Sequence, residues 1–144
     1  MSLNTRFAET AQSTGLLLWQ VTNRWQAAQR AALKPFGLTH VQFVLLASLS
    51  WLEASGPVTQ QRLASQAATD SMMTSQVVRA LESRKLLSRQ PHPTDGRART
   101  LHLEAAGASL VNRAIVAVES CDEKFFGDLG LRGEEFRSLL QALT

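Results

Sequence analysis

The 144-residue sequence has a single cysteine, four prolines and no apolar run long enough to cross a membrane. One thiol, Cys121, cannot close an internal disulfide, so packing alone must hold the fold, and a reducing cytoplasm is the simplest setting. The most apolar stretch, residues 41–52, is interrupted by Gln42, Ser48 and Ser50 and falls short of the roughly 18 residues a span requires. Residues 1–10 show no basic cluster followed by an apolar segment, which argues against a secretory leader. Enzyme motifs are missing as well: there is no Gly-x-Ser-x-Gly, no phosphate-binding loop, no His-Glu-x-x-His and no paired carboxylates in a cleft-like context. His40, His92 and His102 are far apart and lack metal-ligand spacing, so neither a metal nor a cofactor is expected. These absences leave one globular, non-enzymatic domain, for which an apolar content of 44% is ordinary.

What is present is an uneven distribution of charge. The net charge is only +3, yet Arg79, Arg84, Lys85, Arg89, Arg97 and Arg99 crowd one segment with only Glu82 and Asp95 opposing them. Clustered cations are the electrostatic footprint of nucleic-acid binding, which total charge alone is not.

Helical periodicity accounts for most of the chain. Leu18, Val21, Trp25, Ala28 and Ala32 step by three and four along a first helix, residues 13–34, stopped by Pro35 and Gly37. Thr39-His40-Val41-Gln42 fits a capping box opening a second helix with Val41, Leu45, Leu49 and Leu52 inward, ended by Gly56-Pro57. Thr59 caps a short third helix to about residue 68, and Thr69 or Asp70 caps a fourth to about residue 84. The period then shortens. Leu87 and Arg89, then Arg99, Leu101 and Leu103, alternate as strands around the turn-rich Pro91-His92-Pro93-Thr94-Asp95-Gly96. A long helix over residues 104–126 follows, with Leu110, Ala114, Val118, Cys121 and Phe125 on one face, then a loop over residues 127–133. A last helix carries Phe136, Leu139, Leu140 and Leu143. The expected fold is mainly α with a small β-hairpin: a winged helix-turn-helix flanked by further helices.

In that arrangement the fourth helix enters the major groove and the hairpin reaches beside it. With Met73, Val77 and Leu81 as its buried line, Ser75 and Arg79 project outward and Met72, Gln76 and Ser83 lie beside them. Small residues permit close approach, and Gln and Arg bond base edges with two contacts. Ser71 sits in the first turn, where backbone N–H groups attract phosphates. A merely solvated face has the same composition; the adjacent basic hairpin favours DNA. A helical protein-interaction module of winged shape is the competing class, and it has no use for Arg97 and Arg99.

The segment Pro93-Thr94-Asp95-Gly96-Arg97-Ala98-Arg99-Thr100-Leu101-His102-Leu103, followed by Gly107, resembles the wing of the MarR (multiple-antibiotic-resistance regulator) family. Residues 81–89 are similar to that family's junction between recognition helix and wing, and Leu38-Thr39 with Gln42-Phe43 to the start of its second helix. The resemblance implies one domain over residues 1–144, with a DNA-binding lobe at 39–103 and dimerisation helices at 1–38 and 104–144. It further implies a homodimeric, ligand-responsive repressor on palindromic double-stranded DNA, with Arg97 in a minor groove and Asp95 holding the tip. An inserted guanidinium is drawn by the groove's negative potential, and a bidentate carboxylate pair is one way to orient it. Two positions depart from the family pattern: Lys85 stands where glycine is usual after the recognition helix, and Glu104 where threonine opens the long helix.

The resemblance also implies a cleft for a small aromatic or lipophilic effector, for which Trp19, Trp25, His40 and Phe43 are the candidate lining residues, although packing alone also explains such aromatics. Cys121 is read as a buried, inert thiol, because sensing cysteines in the family lie in the first helix. His92 and His102 are read as polar contacts on the wing.

Overall fold

A computed structural model describes residues 1–144. Six α-helices and one antiparallel hairpin follow in order: α1 (Thr14–Leu33), α2 (His40–Glu53), α3 (Gln60–Ala67), α4 (Ser71–Ser83), β1 (Leu87–Pro91), β2 (Arg99–Leu103), α5 (Ala105–Phe126) and α6 (Gly133–Gln141). No single helix is long and apolar enough to cross a membrane. The expected mainly helical fold with a hairpin wing is what forms.

Local chemistry explains the helix starts. Ser13, Thr39, Thr59 and Asp70 each adopt extended backbone and accept a hydrogen bond from an amide in the following first turn. At Thr39 the box is reciprocal, since Gln42 Oε1 accepts the Thr39 amide at 3.1 Å. Glu104 precedes α5 without any side-chain cap, as a glutamate in a threonine's place would.

The core joins α2, α3, α4, the hairpin and α5 through Leu45, Leu46, Leu49, Leu63, Val78, Leu81, Leu87, Leu101 and Ala114. Each fully buried leucine among them contributes about 1.5–3 kcal/mol. Along the long stripe of α5, Leu110, Ala114 and Val118 are buried, while Cys121 and Phe125 are only partly covered. The strands pair Leu87 with Leu103 and Arg89 with Leu101. A further backbone bond, from Leu101 N to Val58 O at 2.8 Å, sews the wing to the segment between α2 and α3. Gly107 explains its own identity: a Cβ there would collide with the Leu86 carbonyl, which already accepts Glu104 N at 3.0 Å.

Three expectations are corrected. The buried line of α4 runs through Thr74, Val78 and Leu81, and Met73 is 43% exposed. Thr74 tolerates burial because its hydroxyl donates to Asp70 O at 2.7 Å and meets Thr69 Oγ1 at 2.7 Å. The segment expected as a loop after α5 is a 3₁₀ turn, Gly127–Arg132, broken at Gly130 by non-helical backbone. Finally, α2 stops at Glu53, ahead of Gly56.

The turns on either side of α4 both contain a left-handed residue that is not glycine. Lys85 has φ 58° and Ala68 φ 53°. Around Lys85, Leu86 N bonds Leu81 O at 3.0 Å and Lys85 N bonds Glu82 O at 2.9 Å, the paired bonds of a Schellman turn. A side chain in this region costs about 1–2 kcal/mol, of which glycine's greater chain entropy returns about half. Lys85→Gly is therefore expected to raise stability by about 0.5–1 kcal/mol, read as a higher urea midpoint at unchanged slope; an unchanged or lower midpoint contradicts the strain.

Candidate nucleic-acid interface

The corrected phase of α4 decides what it presents. With Thr74, Val78 and Leu81 inward, rotation by 100° per residue puts Met72, Gln76, Arg79 and Ser83 opposite them and moves Ser75 to the flank. The four are exposed, Ser71 is exposed at the helix start, and Ser75 is half-buried. Asp70 is occupied as the cap, its Oδ1 accepting Met73 N at 2.7 Å. The outward face of α4 thus carries donors, one thioether and no free carboxylate. Arg79 Nε bonds Ser75 O at 3.3 Å, which leaves both Nη groups available.

The clustered cations separate into two sets. Arg84 is exposed but engaged: its Nη1 donates to Gly37 O at 2.9 Å and Gln42 Oε1 at 3.3 Å, tying the end of α4 to the α1–α2 corner. Arg89 pairs with Glu82 at 3.6 Å. Arg79, Lys85, Arg97 and Arg99 are exposed and enter no ion pair. This second set is free to meet phosphates.

The wing tip is built from nested hydrogen bonds. His92 Nδ1 accepts Thr94 N at 3.2 Å and Asp95 N at 3.1 Å, and Asp95 O accepts Ala98 N at 3.2 Å. Asp95 Oδ1 accepts the Arg97 amide at 3.1 Å. The carboxylate therefore holds Arg97 by its backbone, and the bidentate pair with the guanidinium does not form, since an Asx turn uses the nearer amide. At the wing base, Glu53 Oε1 accepts Leu103 N at 2.8 Å and lies 3.7 Å from His102 Nδ1, whose other ring nitrogen meets Thr100 Oγ1 at 2.8 Å. Both histidines make the polar wing contacts expected of them.

The four residues considered for an effector cleft do not assemble as a group. Trp25 and His40 pack edge to face with centroids 5.0 Å apart. Phe43 is buried in the core at 5% exposure, and Trp19 stands 68% exposed on α1. Two residues missed in the sequence join the pair instead. Asp122 Oδ1 accepts Trp25 Nε1 at 2.7 Å and Gln29 Nε2 at 2.6 Å, and Gln29 is wholly buried. No local pattern announces a partnership across 97 residues. Nearby, Leu18, Val21, Thr22, Trp25, Phe126, Phe136 and Leu140 line an apolar cavity of about 300 Å³. Cys121 is half-buried in a separate recess with Ala28, Ala32 and Phe125, so it is less enclosed than expected. Burial, then the Asp122 charge, pushes its thiol up, which keeps it protonated and unreactive.

The short α3, the turn at Ala68, the exposed α4 and the basic wing define a winged helix-turn-helix DNA-binding protein. The family model described as the MarR family matches residues 38–98. An HTH-type transcriptional regulator of Bacillus subtilis, YdcH, is 42% identical over 144 residues, covering 99% of this chain and 97% of its own. This chain belongs to the MarR family of DNA-binding transcription regulators. Among solved structures, Rv2887 of Mycobacterium tuberculosis in complex with DNA is 30% identical with a TM-score of 0.70, covering 91% of this chain and 97% of that one. BpsR of Bordetella bronchiseptica, whose DNA binding is regulated by 6-hydroxynicotinic acid, is 25% identical with a TM-score of 0.85, covering 95% and 96%.

His40 carries a pH dependence. Burial lowers its pKa below the ordinary 6.5, Asp122 partly restores it and Arg30 lowers it again. The fold therefore favours the neutral ring, and that stability is complete above 6.5 and lost as the pH falls toward the lowered value. The urea midpoint is expected to drop between about pH 7.5 and about pH 5.5, with a shallower drop in His40→Gln. Parallel curves for the two proteins would exclude His40 as the source.

Proposed function

We propose that the chain acts in the cytoplasm as a homodimeric repressor on a palindromic operator, each protomer reading one half-site. In this reading residues 39–103 form the DNA-binding lobe, and residues 1–38 and 104–144 supply the dimerisation helices. Ser71, Met72, Ser75, Gln76 and Arg79 meet the major groove, Arg97 enters the neighbouring minor groove with its tip held by Asp95, and Arg99 meets phosphate. The observation that carries it is the carboxylate-free outer face of α4 beside unpaired Arg97 and Arg99. Repressor action is supported by Rv2887, a transcriptional repressor 31% identical over 130 residues.

Dimerisation is supported by apolar surface that one chain leaves uncovered. No residue of α6 is buried, and Leu17, Leu18, Trp19, Leu139 and Leu143 are exposed. A two-fold pair covers such surface and matches a palindrome. Sedimentation at micromolar concentration is expected to give a dimer; a stable monomer refutes the reading. A small aromatic or lipophilic effector fits the apolar cavity beside Trp25, in keeping with the regulation of BpsR by 6-hydroxynicotinic acid.

DNA reading is tested by titrating operator and random duplexes at one fixed salt concentration. Gln76→Ala or Arg79→Ala is expected to weaken operator binding by about 1–3 kcal/mol and random binding by less. Arg97→Ala should reduce the salt slope by about 1 per protomer, with the largest loss at A·T-rich flanks. Because Asp95 holds a backbone amide, Asp95→Ala should lose up to about tenfold in affinity while Asp95→Asn, which keeps the acceptor, should not. Tighter binding by Asp95→Ala would mean that the carboxylate only repels DNA.

A further inference from the structure

Met72 is out of place for a chain that needs only to fold. Its side chain is 73% exposed at the second position of α4, between polar Ser71 and the Ser75–Gln76 pair. An apolar side chain left in water forgoes the free energy that burial returns, and Met72 takes no part in the core that holds α4. One turn on, Gln76 shares its face and is also exposed. The hydrogen bonds that shape α4 use Asp70, Thr74 and Arg79 and leave the Gln76 amide unused. Glu82, on the flank of α4, is engaged with Arg89, and Asp70 with the Met73 amide.

These side chains have different partners among the base edges of the major groove. Thymine alone presents a methyl group there. Adenine alone presents a donor beside an acceptor, which a glutamine amide matches with two bonds, whereas guanine's paired acceptors suit arginine and cytosine's donor suits a carboxylate. Met72 and Gln76, four residues apart, are separated by about 5–6 Å at Cβ. That is less than two base-pair steps at about 3.4 Å per step.

Resting on the DNA-reading assignment above, we propose that each operator half-site holds a thymine whose 5-methyl packs on Met72 and, within two base-pair steps, an adenine paired through N6 and N7 with Gln76. Met72 and Gln76 are then specificity-determining residues of this protein, and Arg79 with its two available Nη groups reads or flanks the next position.

The test begins with selection of bound duplexes from a random pool by the full-length protein. In the selected site each thymine is replaced singly by uracil, which removes only the methyl, and each adenine by 7-deazaadenine, which removes only the N7 acceptor. One thymine per half-site is expected to lose about fourfold in affinity as uracil, the effect of one buried methyl. That loss should vanish in Met72→Ala and persist in Met72→Leu. An adenine within two steps should lose about tenfold, and that loss should vanish in Gln76→Ala. Both positions are exposed, so thermal midpoints should match the parent protein. A selected site in which no uracil effect depends on Met72, or no 7-deaza effect depends on Gln76, overturns the proposal while DNA reading stands. Failure to enrich any site overturns both.

Discussion

The burial of Thr74, Val78 and Leu81 against the core sets the rotation of α4, and the Thr74 hydroxyl, donating to the Asp70 carbonyl and meeting Thr69 at 2.7 Å, permits it. A buried threonine is stable only where its oxygen is satisfied, and here the turn preceding the helix satisfies it. Val78 and Leu81 follow inward on the same line. Rotation by one residue would bury Met73 and Val77 instead and bring Ser75 to the centre of the outward face. The face that α4 leaves exposed is thus a consequence of which residues pack on the opposite side of the helix.

The wing depends on comparable anchors at its base. Leu101 is tied to Val58, Leu103 to Glu53, and the Leu86 carbonyl lies so close to Gly107 that no larger residue fits. With the base fixed to α2 and α5, the tip is left to local turn chemistry, in which His92 and Asp95 accept backbone amides. Arg97 is therefore exposed on a tip whose backbone is defined, so less disorder has to be removed when it meets a ligand.

Arg84 links the end of α4 to the rest of the molecule. It belongs by sequence to the basic segment, yet its guanidinium is used on Gly37 O and Gln42, at the corner where α1 turns into α2. Two residues before Gln42 is His40, packed on Trp25, which with Gln29 bonds Asp122 of α5. The start of α2 is thus held twice, by Arg84 through Gln42 and by Trp25 of α1 through His40, and Trp25 is in turn bonded to α5.

Local chemistry was enough for the order of elements, because caps, strand alternation and turn residues act within a few positions. Thr39 and Gln42 announce α2, Asp70 announces α4, and the alternation of Arg99, Leu101 and Leu103 announces β2. The left-handed turn at Lys85 was legible only through the resemblance, in which glycine is usual at that position; the matching turn at Ala68 carried no such mark. Distant contacts decided the rest. The choice between Met73 and Thr74 as the buried residue depended on which side of α4 met the core and on whether the hydroxyl found a partner. The separation of Arg84 and Arg89 from Arg79, Arg97 and Arg99 depended on neighbours up to 47 residues away. The pairing of Asp122 with Trp25 and Gln29 required α1 and α5 to lie side by side. The sequence by itself determined which segments are helix, strand or turn, because those preferences reside in adjacent residues. Which face each segment shows, and which charges remain free, was decided only when the elements packed.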